Sequence, residues 1–208
     1  MLFRSFGLTP ERLGLIGAAH FLFFAAAQIP VGVLIDRYGV GLVQSALLLL
    51  AGIGSALFSI ADHWLLLLAG RAMVGVGVSG ALLSGLKVIV QTVPADRVAL
   101  ASGMLVAMGT LGAVAATAPL AWILEAVGWR GAFAGLAIAS LALALCIGCI
   151  IAPAAPAAVR HDRRTTAARL AEVLRDRTFR RIAPLSAACL GTAWAMQSLW
   201  AAPWLADV

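Results

Sequence analysis

Residues 32–40 read GVLIDRYGV. The stretch places Asp36 and Arg37 side by side between two long apolar runs, 13–35 and 40–61. Charge is costly inside lipid, so such a pair marks either a boundary or a working site. The rest of the chain favours a boundary. Of its 208 residues, 62% are hydrophobic and 12% charged, and the mean hydropathy is +1.01. Soluble domains are about 25% charged. Six runs carry no more than two charges each: 13–35, 40–61, 64–93, 98–124, 131–159 and 182–206. Each exceeds the roughly 20 residues that a spanning helix needs. Lipid leaves backbone polar groups no partner but their own segment, which favours helices. The composition predicts an all-α, polytopic membrane bundle of six transmembrane helices.

Charge placement orients the bundle. Eight of the 15 basic residues fall between Arg160 and Arg181. An excess of Lys and Arg in one loop is expected on the cytoplasmic side. With that loop inside, 36–39 and 94–97 lie inside, and 61–63 and 122–130 lie outside, as do both termini. The location expected is a bacterial inner (plasma) membrane. The net charge of +6 does not indicate nucleic acid, because no aromatic interleaving or RNA-binding motif accompanies the arginines. In RLAEVLRDR, Leu170, Val173 and Leu174 share a helical face, which fits contact with anionic membrane lipid. Cys146 and Cys149 form a CxxC inside an apolar run, and Cys189 stands alone. All three read as apolar filler, since a redox motif wants an electropositive, soluble setting. No metal or cofactor is expected.

The chain also repeats itself. LIDRYG at 34–39 and ILEAVG at 123–128 each end an apolar run with an acid three positions before a glycine. The offset is 125 − 36 = 89 residues. The runs flanking them obey the same offset, whereas 64–93 would map to about −25 to +4. Paired three-helix units of opposite orientation occur in secondary transporters. The expectation is a three-plus-three inverted repeat whose first helix precedes this sequence. The opening FGLTPERLG fits a loop between helices, with Thr9 as N-cap and Pro10 at the first helical position. The rival is a complete six-helix protein without a repeat.

Three stretches carry a family resemblance. GVLIDRYG resembles the signature between helices two and three of the major facilitator superfamily, matched at Gly32, Leu34, Asp36, Arg37 and Gly39. That family usually continues with two basic residues, where this chain has Val40 and Gly41. GRAMVGVGVSG resembles the family's fourth-helix pattern at Arg71, Gly75 and Gly77, and VGWRGAF, with Trp129, Arg130 and Phe133, its entry into helix six. The family's antiporter signature in helix five is not matched: Gly109, Gly112 and Pro119 stand at other spacings, though Pro119 can kink that helix. The resemblance implies the amino-terminal half of such a transporter, helices two to seven. Residues 1–152 would be helices two to six, 153–181 a basic cytoplasmic linker, and 182–208 the first helix of a truncated second half. It implies a secondary transporter that moves a small-molecule substrate by alternating access, with the missing carboxy-terminal helices as structural partner. Gly32, Asp36, Arg37 and Gly39 would form its gating motif, with Asp36 latching against the absent half.

Candidate site residues follow from the physics of the spans. Arg71 lies seven residues into its run, roughly 10 Å deep at 1.5 Å per residue. An arginine there costs at least ~2.5 kcal/mol and needs a partner or an aqueous cavity. No Asp or Glu lies within the six runs. Arg71 is therefore structural glue, or it contacts the substrate or takes part in coupling. Lys87 follows 16 residues later, about 24 Å further along and about 160° around, where it can snorkel to the cytoplasmic interface. His20 and Gln28 share a broad face of the first run, as cavity lining or as packing hydrogen bonds. Gly75, Gly77 and Gly80 read as close helix packing. Buried cations without carboxylates favour an anionic substrate. Two other readings remain: a membrane fragment or scaffold that transports nothing alone, and an intramembrane serine protease, from the GxSG at 77–80. The second lacks a base, since the only histidine after Ser79 is His161 in the basic loop. No catalytic residue is assigned.

Overall fold

The structure, a computed structural model, describes residues 9–150 and 166–195. Among these the regular structure is helical throughout: α1 Pro10–Tyr38, α2 Val40–Ile60, α3 Trp64–Val78, α4 Ala81–Thr92, α5 Val98–Ala115, α6 Ala118–Ile150, α7 Thr166–Arg175 and α8 Arg177–Ala195. The chain divides into two compact units, 1–159 and 160–208.

Five segments are long and apolar enough to cross a membrane: Glu11–Tyr38, Val40–Ile60, Trp64–Thr92, Val98–Ala115 and Ala118–Cys149. The first four fall on the expected spans 13–35, 40–61, 64–93 and 98–124; the fifth begins within the last of these and continues into 131–159, so the loop expected at 122–130 is helix on both sides of Gly128. The sixth, 182–206, is α8 as far as Ala195, and 196–206 lies outside the described residues. The described part is too short to span by itself.

Local chemistry sets the helix ends. Thr9 Oγ1 accepts from Arg12 N at the start of α1, and His63 Nδ1 accepts from Leu65 N at the start of α3. The expected span 64–93 bends at Ser79–Gly80, between α3 and α4. The expected span 98–124 breaks at Ala116–Thr117. Pro119 then falls in the first turn of α6, where its missing N–H costs no helical bond. The kink expected at Pro119 is thus a break just ahead of it.

Two joints are unusually tight. Gly39 (φ 87°, ψ 160°) is the one residue between α1 and α2. Gly128 (φ 70°, ψ 174°) interrupts α6, which is therefore two helices joined at a single residue. Both take a backbone conformation reserved essentially for glycine. They are 128 − 39 = 89 residues apart, the offset of the sequence repeat, and each follows an acid by three positions.

Helix α2 is the core of the first unit. It runs antiparallel to α3 on one flank and to the second part of α6 on the other. Against α3, a methyl group on Gly54 would lie 2.9 Å from Gly70 O, and one on Gly77 would lie 2.6 Å from Leu47 O. Against α6, Ser45 Oγ donates to Ala144 O at 2.7 Å. Helices α1 and α3 run parallel, with Gly75 packed directly on the His20 carbonyl. Helix α5 contrasts with these, having no buried residue and presenting Leu100, Met104, Met108 and Leu111 outward. Such surface suits hydrocarbon rather than water. In the second unit, Asp176 Oδ1 accepts from Phe179 N and caps α8.

Candidate functional site

The closeness of α1 to α3 creates the polar centre of the first unit. Because position 75 has no side chain, the two backbones approach at His20. Arg71 lies one turn earlier on α3 than this contact, which brings it near His20. His20 Nδ1 and Arg71 Nε are both buried, and neither has a hydrogen-bond partner among the described residues. The imidazole also packs edge-on to Phe21 and stacks at 6.4 Å on Phe24.

Aromatic faces hold the Arg71 guanidinium. Its Cζ lies 5.1 Å from the centroid of Phe58 on α2 and 5.3 Å from that of Phe133 on α6. The two rings touch each other, with centroids 4.1 Å apart, and Trp129 meets Phe58 edge-on at 6.0 Å. A desolvated cation–π contact is worth about 2 kcal/mol or more, so two such contacts offset the ~2.5–3.5 kcal/mol cost of an intramembrane arginine. Among the described residues Arg71 has no carboxylate within ion-pair distance. Lys87, Arg97 and Arg130 each have one.

The remaining sequence candidates fall elsewhere. Gln28 is half-buried on α1, about 12 Å along the helix from His20. Lys87 does not join Arg71. Its Nζ donates to Asp36 Oδ1 at 2.6 Å and to Ile35 O at 3.2 Å, which caps the end of α1. Asp36 therefore has a partner within this chain. Arg37 stacks over Tyr38 at 5.2 Å. Gly32 faces Leu83, and Gly80 sits among Leu47, Val31 and Gln44. Ser79 Oγ is spent on Val76 O at 2.7 Å.

Sequence reasoning missed three features. Phe58 and Phe133 sit in apolar surroundings where nothing singles them out as partners of a cation. A buried hydrogen bond links Ser84 Oγ to Gln44 Oε1 at 2.9 Å, and an amide in an otherwise apolar run is a signal that could have found it. At the opposite end of the unit, Arg130 donates to Ser59 O at 3.1 Å, Ala61 O at 2.8 Å and Asp62 Oδ1 at 3.3 Å. It caps α2 and ties it to α6.

Residues 1–207 match the family described as Major Facilitator Superfamily. The “Probable sulfoacetate transporter SauU” of Cupriavidus necator is 31% identical over 65% of this chain and 31% of its own length. The “Nitrate/nitrite transporter NrtP” of Picosynechococcus sp. is 30% identical over 52% of this chain and 20% of its own. The “Efflux pump hmp6” of Hypomyces subiculosus is 32% identical over 63% and 24%. The chain spans about a third or less of the length of these relatives.

Proposed function

The chain belongs to the major facilitator superfamily and is an integral membrane protein, and from that premise we propose that it forms part of a secondary transporter that moves a small anionic solute by alternating access. The single observation that carries this reading is Arg71. It is a half-buried cation whose buried Nε–H has no hydrogen-bond partner among the described residues, which also offer it no carboxylate. An anion supplies the acceptor that the Arg71 Nε–H lacks. The names of two relatives point the same way, since sulfoacetate, nitrate and nitrite are anions. On this reading Arg71 and His20 contact substrate, while Gln28 lines the path nearer the cytoplasm. Asp36, Arg37, Gly32 and Gly39 form the cytoplasmic gate, with Lys87 holding Asp36 in place. Residues 153–181 form the cytoplasmic linker between 1–152 and 182–208, in a bacterial inner membrane.

The test is uptake of nitrate and methanesulfonate into proteoliposomes that hold the full gene product. Arg71→Gln should lower uptake at least tenfold, about 1.4 kcal/mol in transition-state terms, and Arg71→Lys less. Uptake that survives Arg71→Gln unchanged sinks the anion reading. A membrane scaffold would show no anion-dependent flux in any form of the protein.

A further inference from the structure

We propose that Phe58 and Phe133 are positioning residues: their rings hold Arg71 within the span while leaving its Nε–H unpaired for an anion to take up. The inference rests on the reading of Arg71 as the anion contact and adds how that contact is kept ready. An arginine inside lipid ordinarily ends in one of two ways. It pairs with a carboxylate, which consumes its in-plane donors, or it snorkels until its head reaches water. Arg71 does neither. The rings of Phe58 and Phe133 lie 5.1 and 5.3 Å from its Cζ, and a ring face attracts the cation through its quadrupole without accepting an in-plane N–H···O bond. The result is visible at Nε, which is buried and unpartnered.

The rings are themselves fixed. Phe58 is 1% exposed, meets Trp129 edge-on and packs with Ile16, Ala61 and Leu67. Phe133 lies one turn beyond Arg130, whose bonds to Ser59 O and Ala61 O lock α6 onto α2. The clamp is therefore supplied by two helices other than the one that carries Arg71. A shift between α3 and the α2–α6 pair would release the guanidinium. Without the rings Arg71 would turn to backbone carbonyls or withdraw toward the α3 start. An anion would then bind only the fraction of molecules in which it had returned.

The test uses the chain in lipid nanodiscs with 15N-labelled arginine and nitrate as probe. The Arg71 Nε–H resonance is assigned by its loss in Arg71→Lys, and the Arg130 resonance serves as a control for the fold. Nitrate should shift the Arg71 resonance in the unmodified chain. Phe133→Leu should move that resonance off its ring-current position and weaken nitrate binding about tenfold, whereas Phe133→Tyr should retain both. Replacing Phe133 by 3,4,5-trifluorophenylalanine keeps shape and packing but weakens the ring face, and it should weaken binding severalfold. A purely structural role for the rings predicts the reverse, with stability lost in Phe133→Leu and affinity unmoved by fluorination. Unchanged or tighter nitrate binding by the fluorinated chain overturns the inference alone. Failure of the unmodified chain to bind nitrate overturns the reading of Arg71, and the inference with it.

Discussion

Asp36 and Lys87 show what a single residue pair adds to a motif. From the sequence, Asp36 lacked a partner, and the resemblance placed that partner in an absent half. Lys87, 51 positions later, takes the carboxylate at 2.6 Å. The pairing depends on α1 lying parallel to α3 and to α4, which carries Lys87, with an offset set by the contact of Gly75 with the His20 carbonyl. Nothing local to either charge announces that offset, so the sequence could place Lys87 at an interface but not beside Asp36. The energetic stake is modest. The Asp36 side chain is 58% exposed and that of Lys87 20%, and partly exposed pairs contribute about 0.2–1 kcal/mol. A double-mutant cycle of Asp36→Asn and Lys87→Met, read by unfolding in nanodiscs, should give a coupling of about 0.5 kcal/mol. Strict additivity would show that the pair contributes nothing to folding. Arg71 was legible as an anomaly because any deep charge is one. Its aromatic holders were not, since Phe58 and Phe133 look like the rest of an apolar span.

At the scale of elements, the sequence marked both joints but not their geometry. An acid followed at three positions by glycine was visible twice, and each instance ends a helix with one glycine at positive φ. Replacing either glycine by alanine forces a side chain into a region that costs about 1–3 kcal/mol. Gly39→Ala and Gly128→Ala should each lower stability by that amount. Gly103→Ala provides the contrast: it lies mid-helix with no atom within 4 Å of the added methyl and should gain roughly 0.5–1 kcal/mol from helix propensity. Thermal unfolding of the three variants side by side decides the point, and equal responses would remove the special role of the joints. The bend at Ser79–Gly80 and the break at Ala116–Thr117 were less legible. Apolar runs cross both without interruption, because hydropathy reports burial in lipid and not continuity of the helix.

For the whole molecule, composition alone told that the chain lives in lipid and where five of its spans run. What it could not rank was how firmly each helix is held. Helix α2 buries Val43, Leu47, Ala51 and Phe58, whereas α5 buries nothing, although both are equally apolar to the eye. Packing depends on which neighbours the fold supplies, and hydropathy is blind to it. A lipid-soluble carbene probe in nanodiscs should label Leu100, Met104, Met108 and Leu111 several times more heavily than the buried face of α2. Equal labelling would mean that α5 is covered in the membrane.

The single-residue joints also decide where this molecule can flex. A loop of several residues lets the helix ends it joins move apart, but one residue fixes the distance between them. The facing ends of α1 and α2 therefore cannot slide apart, and neither can those of the two parts of α6. Slack between neighbouring helices is left to the longer connections, at 61–63 and 93–97.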